Sequence, residues 1–225
     1  MNSSFKTYFD EFGKYFQSFD KEKALDFSRL LLSNEKITVS ELYEEILAPI
    51  LNGIVISREE EDRLIWKEHA MTNIARSVIE CAYPFVLKER DKHQKAGKPQ
   101  RVMMLCPLEE YHEIGARMGA DFFTIANYEV LYIGANTPKE NFFSAYNTLK
   151  PDIISITITN YLNLVALKSI IAEMKEQTAP NVKIVLSGLA FKTTQKTAAD
   201  FGADALVTSL TDIFKLRGDT HEASL

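Results

Sequence analysis

Phe5, Phe9, Phe12, Phe16 and Phe19 recur at alternating steps of four and three residues. Apolar positions at that interval fall on one face of a 3.6-residue turn, so the stretch is predicted to be an amphipathic helix whose phenylalanines pack into a core. The pattern predicts a second helix over about 21–33, capped by Asp20, with Ala24, Phe27, Leu30 and Leu31 facing inward. A third is expected from about Ser40 to Leu47, with Ser40 as its cap, and Pro49 and Gly53 punctuate the stretch after it. The fourth is long, starting near Ser57 and running until Pro84 bends or ends it. Residues 1–93 therefore read as a four-helix bundle.

The segment 88–100 (KERDKHQKAGKPQ) is polar, charged and closed by Gly97 and Pro99, as a linker would be. Beyond it the periodicity changes. Short apolar runs (RVMML, EVLYIG, DIISITIT, VKIVLSG, DALV) alternate with helical segments at about 112–126, 139–149, 162–176 and 191–201. A repeated βα pattern predicts a five-stranded parallel sheet covered on both faces, a flavodoxin-like α/β domain over 100–225. In such sheets ligands bind beyond the carboxyl ends of the strands.

Composition narrows the class. Hydrophobic residues make up 46% of the 225 residues, enough for a real core, and the net charge of −5 with scattered Lys and Arg argues against direct binding of nucleic acid. No apolar run approaches the roughly 20 residues of a membrane span, and the N-terminus lacks the features of a signal peptide. Two cysteines, Cys81 and Cys106, form neither a disulfide framework nor a CxxC pair, and Cys106 reads as a small buried filler. The expectation is a cytoplasmic protein.

The chemistry concentrates in CPLEEYHEIG, residues 106–115, at the carboxyl edge of the first strand. Glu110 can accept a hydrogen bond from one imidazole nitrogen of His112, fixing the tautomer so that the other nitrogen can bind a metal. Gly115 lets a bulky ligand approach the following helix. Ser155 and Thr157 share one face of the third strand, and Gly188 removes a side chain at the end of the fourth. Position 116 is alanine, so no zinc-protease HExxH is formed, and G-x-G-x-x-G, G-x-x-x-x-G-K-[ST] and G-x-S-x-G are all absent.

These residues resemble a known fingerprint. The cobalamin-binding domains of methionine synthase, corrinoid methyl-transfer proteins and cobalamin-dependent mutases carry D-x-H-x-x-G, then S-x-L or S-x-T, then G-G. Here the elements stand as Glu110-Tyr111-His112-Glu113-Ile114-Gly115, Ser155-Ile156-Thr157 and Ser187-Gly188, in matching order over about 100–212. The resemblance implies cobalamin as cofactor, as adenosylcobalamin, methylcobalamin or hydroxocobalamin. It makes His112 the lower cobalt ligand in place of the dimethylbenzimidazole tail, Glu110 its hydrogen-bond partner, and Ser155, Thr157 and Gly188 the lining of the tail pocket. Two departures stand out. The extra methylene of Glu110 allows an indirect hydrogen bond to His112, and Ser187 adds a side chain where the tail would pass.

E-x-H-x-x-G is also similar to the light-responsive, cobalamin-dependent repressors of the MerR type, which set a helical cap over the corrin. Their cap carries a tryptophan upstream of a Glu-His pair; Glu68-His69 match the pair, but the tryptophan position falls on Arg58. Trp66 lies two residues from Glu68, on a nearly opposite face, whereas Ile65 and His69 share a face, which makes His69 the candidate upper ligand. The resemblance implies a non-enzymatic cobalamin-binding sensory or regulatory protein, with light as one candidate signal. No DNA-binding domain of that kind is read in these 225 residues, so the expected output is through a protein partner or self-association. The alternative is a corrinoid methyl carrier of a methyltransferase system, and a third reading is a flavodoxin-like module without cobalamin.

Overall fold

The computed structural model describes residues 3–54 and 61–218, and the chain divides into two compact units between Glu89 and Arg90. The first unit is helical. It contains α1 (Ser3–Gln17), α2 (Lys21–Ser33), the short α3 (Val39–Glu41) and α4 (Ala48–Asn52) joined by a π-helical turn at Leu42–Leu47, and the long α5 (Glu61–Asp91). Asp20 caps α2, accepting a hydrogen bond from the Lys23 amide at 3.1 Å. Phe12 and Phe16 are fully buried, while Phe19 at the end of the stripe is exposed. Leu30, expected inward, is exposed too. The inward face of α2 is Ala24, Ser28, Leu31 and Leu32, the i, i+4, i+7, i+8 set, and Leu30 is rotated out of it.

The third helix differs from expectation at both ends. Its cap is Thr38, not Ser40, because Glu41 stands three residues on and closes a reciprocal capping box with the Thr38 amide at 2.7 Å. It also runs past Pro49. The Ala48 amide bonds back to Tyr43 in a widened turn, and the proline, which has no N–H to donate, comes directly after. Pro84 likewise sits inside α5 without ending it. Val78, Ile79, Ala82 and Val86 around it are buried, and their packing outweighs the one helix hydrogen bond lost. The segment expected as linker therefore begins inside α5; Ser57 and Arg58 lie outside the described residues.

The second unit runs β1 (Arg101–Pro107), α6 (Ile114–Ile125), β2 (Glu129–Thr137), α7 (Lys139–Leu149), β3 (Ile153–Thr157), α8 (Leu164–Gln177), β4 (Lys183–Ser187), α9 (Leu189–Thr194), α10 (Ala198–Phe201), β5 (Ala205–Leu206) and α11 (Leu210–Leu216). All strand pairings are parallel, in the order β2-β1-β3-β4-β5. The single helix expected over 191–201 is two. Gln195 takes a left-handed conformation that closes α9, and a Thr197–Asp200 capping box starts α10.

Alternation divides the sheet residues between two faces. Met103, Leu105, Ile154, Ile156, Ile184 and Leu186 pack against Phe142, Tyr146, Leu167, Ile171 and Phe191 from the covering helices. Met104, Cys106, Ser155, Thr157, Val185 and Ser187 consequently belong to the opposite face. Strand order reverses between β1 and β3, so their carboxyl ends flank a topological switch point, where doubly wound sheets hold ligands.

Candidate cofactor-binding site

Pro107 ends β1, and the next residues are held tightly. The Glu110 amide bonds the Pro107 carbonyl at 3.0 Å, and the Asn136 amide bonds the Glu110 carbonyl at 2.9 Å. The Asn136 side chain accepts from the amide of Glu109, itself in a left-handed conformation (φ 66°), at 2.8 Å. This pins the loop to the end of β2 and turns the Glu110 carboxylate inward, where it is fully buried.

That carboxylate is the hub of the switch point. Its Oε1 meets His112 Nδ1 at 2.6 Å and accepts from the His112 amide at 3.1 Å. Its Oε2 accepts from the Thr159 and Asn160 amides at 3.0 and 2.9 Å and from Asn163 Nδ2 at 3.1 Å. One side chain from the β1 loop thus satisfies the loop that follows β3. Burial pushes the Glu110 carboxyl up, but the hydrogen bonds from His112, the Asn160 amide and Asn163 outweigh it and hold the group at about 2. An ionised carboxylate only accepts, so Nδ1 of a neutral His112 carries the proton and Nε2 is the nitrogen with a lone pair for a metal. The extra methylene of glutamate does not make the contact indirect: the bond is direct, at 2.6 Å. The imidazole is 55% exposed, which an axial ligand must be to meet an incoming cofactor.

The remaining expected residues fall around this edge. Tyr111 is exposed, and Gly115 opens α6, where an added Cβ would meet nothing within 4 Å. Ser155 is fully buried and its Oγ has no hydrogen-bond partner. Thr157 is buried, and its hydroxyl lies 2.8 Å from that of Ser187, its register partner on β4, so the side chain expected to add bulk is tied to the sheet. Gly188 has a different role from the one its position implied. A Cβ there would lie 2.1 Å from the Ile158 carbonyl oxygen, so backbone packing, rather than room for a ligand, requires glycine. Cys106 is buried and its thiol is pushed up to about 12 by desolvation, hence neutral and unreactive.

Ile65, Trp66, Glu68 and His69 belong to the helical unit. Ile65 and Trp66 are exposed, Trp66 packing on Phe19 with ring centroids 5.4 Å apart, and His69 Nε2 lies 3.8 Å from Glu68.

Two features escaped the sequence reading. Thr159, Asn160 and Asn163 complete the Glu110 hub largely through backbone amides, which leave no side-chain signature. Leu108, Tyr161, Leu162, Val165 and Leu189 are exposed on the segments that follow β1, β3 and β4, the same edge that bears His112. Apolar residues at strand-end loops were the available signal, and such a rim suits a broad, largely apolar ligand.

The residues fit a corrinoid: one oriented, accessible imidazole for the metal, an apolar rim for the ring, and an orphaned buried hydroxyl for a polar group of the ligand. Ser155→Ala is expected to leave thermal stability within about 0.5 kcal/mol, since no protein bond is lost, while weakening cobalamin binding about fivefold, the worth of one hydrogen bond. Equal affinity of the two proteins in a spectral titration would remove Ser155 from the site.

Fold and site define a doubly wound α/β protein with an oriented, histidine-bearing loop at the switch point. The B12 binding domain family matches residues 100–215, and the chain belongs to that family; its cofactor is cobalamin. The Methanosarcina barkeri monomethylamine corrinoid protein superposes with a TM-score of 0.76 at 13% identity, covering 96% of this chain and 98% of its own, which shows a shared fold over both units. A cobalamin-binding protein from Desulfitobacterium hafniense DCB-2 aligns at 0.48 with 14% identity (93% and 97% covered). A methanol:cobalamin methyltransferase complex from Methanosarcina barkeri aligns at 0.47 with 13% identity (92% and 76% covered). No curated protein matches the chain. Among the described residues no helix is long and apolar enough to cross a membrane.

Proposed function

We propose that the protein is a corrinoid carrier, the cofactor-bearing subunit of a methyltransferase system, rather than a light sensor. The observation that carries this reading is the two-way, end-to-end likeness to the monomethylamine corrinoid protein, in which the helical unit and the sheet unit together account for nearly both chains. Glu110, whose extra methylene pointed toward the sensors, bonds His112 directly and so serves a carrier as well as aspartate would. The tryptophan position of the sensors falls on Arg58, and Trp66 is engaged with Phe19 within the helical unit.

Bound cobalamin supplies the methyl-transfer chemistry. The chain would supply the rest: His112 Nε2 would hold the metal and Glu110 keeps the proton on Nδ1. Gly115 would admit the ring to the start of α6, Ser155, Thr157 and Ser187 would line the tail slot, and the apolar rim would exclude water from the ring. Partner methyltransferases provide the substrate sites.

The test is a chain loaded with methylcobalamin and mixed in the dark with a corrinoid:thiol methyltransferase and its thiol acceptor. Demethylation in the dark that requires both the methyltransferase and the thiol, with the methyl group recovered as the methyl thioether, is the expected result; no dark methyl transfer together with a light-driven change in oligomeric size would overturn it. His112→Ala is expected to shift the bound cofactor to a spectrum without nitrogen ligation and to weaken binding about 10–100-fold. An unaltered spectrum would remove His112 as the ligand.

A further inference from the structure

Gly115 and Gly119 stand four residues apart and share one face of α6. A Cβ at Gly115 would meet nothing within 4 Å, and one at Gly119 would meet only Met104, with Cε at 2.8 Å and Sδ at 3.9 Å. Met104 is buried and pairs in register with Ser155, on the sheet face opposite Met103, Leu105, Ile154 and Ile156. The thioether therefore fills the room that Gly119 leaves on the side of the sheet where the Ser155 hydroxyl is buried without a partner among the described residues.

We propose that Met104 is a movable plug of the tail slot: its thioether yields when the nucleotide tail enters, and so sets how bulky a lower base the protein accepts. The inference rests on the assignment of Ser155 and Thr157 to that slot. Methionine suits the role because its unbranched chain has three rotatable bonds and repacks at low cost, whereas a β-branched or aromatic side chain would hold its place. The glycine at 119 matters for the same reason. An alanine there would press on Cε and take the space into which the methyl fits. A methionine serving only as core filler would affect every corrinoid alike.

The experiment compares spectral titrations of hydroxocobalamin and of cobinamide, which has the same ring and no nucleotide tail. The proteins are the full-length chain and its Met104→Ala, Met104→Phe and Ser155→Ala variants. Met104→Phe is expected to weaken cobalamin about tenfold, the cost of overpacking, while changing cobinamide less than about twofold. Met104→Ala, which removes the plug, is expected to strengthen cobalamin about threefold relative to cobinamide. Equal shifts for both corrinoids, or none, in both Met104 variants would overturn the plug. If Ser155→Ala still changes the cobalamin-to-cobinamide ratio in that case, the slot assignment stands without it; if no variant moves the ratio, the slot assignment fails as well.

Discussion

Glu110→Ala will destabilise the sheet unit by roughly 4 kcal/mol, because it strips the acceptor from the Thr159, Asn160 and His112 amides and from Asn163 in one step. Bonds to a charged acceptor are worth more than neutral ones, and the variant offers the backbone donors among them no acceptor in place of the lost carboxylate. Glu110→Gln separates charge from shape. The carboxyl is held at about 2 against an ordinary value of 4.5, so its depressed pKa adds about 3 kcal/mol of stability at neutral pH. A depressed carboxyl gives its full contribution above 4.5 and loses it as pH falls through 2. Urea unfolding at neutral pH should therefore separate wild type from Glu110→Gln by about 3 kcal/mol, and the gap should narrow steadily below about pH 4.5. Curves that stay parallel down to low pH would show that the charge of Glu110 is not what stabilises the loops.

On the proposed reading the same group also governs the cofactor. Only an ionised carboxylate forces the proton onto His112 Nδ1, so stability of the switch point and the ligating tautomer stand or fall together. In Glu110→Gln the amide can present either its oxygen or its nitrogen to Nδ1. Cobalamin affinity should then fall along with stability, about 10–100-fold.

How far this was legible in the sequence depended on the range of the interactions. The phenylalanine stripe, the Asp20 cap and the five apolar runs are local signals, and the helices and strands track them closely. The pairing of Glu110 with His112, two residues apart, was legible for the same reason. Thr159, Asn160 and Asn163 stand about fifty residues further on and reach Glu110 largely through peptide N–H groups that any residue carries, so only the sheet order brings them together. Pro84 did not end α5, because a local rule weighs the lost hydrogen bond without the buried neighbours that offset it, and the helix runs past Pro49 because a widened turn precedes it. The cap at Thr38 was overlooked in favour of Ser40, though the T-x-x-E spacing to Glu41 was there to be read.

Gly188 is where sequence motif and structure diverge most, and its substitution carries the second large effect. At φ 114° and ψ 166° it occupies a region that is essentially glycine's alone. A Cβ would also lie 2.1 Å from the Ile158 oxygen, 2.7 Å from its carbon and 2.8 Å from its nitrogen. Those Ile158 groups are in use: its amide bonds Ser187 at 2.9 Å, and its carbonyl accepts from Ala190 at 3.2 Å. Gly188→Ala must therefore break the junction between the end of β3 and the start of α9, at a cost of at least about 3 kcal/mol. Gly115→Ala makes the contrast. It adds the same methyl at a helical position with nothing within 4 Å, so stability should hold or rise by about 0.5–1 kcal/mol. On the proposed reading cobalamin binding should nevertheless weaken, since the methyl would enter space used by the ring. Chemical unfolding and a cobalamin titration on the two variants separate the roles: Gly188 serves the fold and Gly115 the ligand. A stable Gly188→Ala protein, or a Gly115→Ala protein with undiminished affinity, would reverse the corresponding assignment.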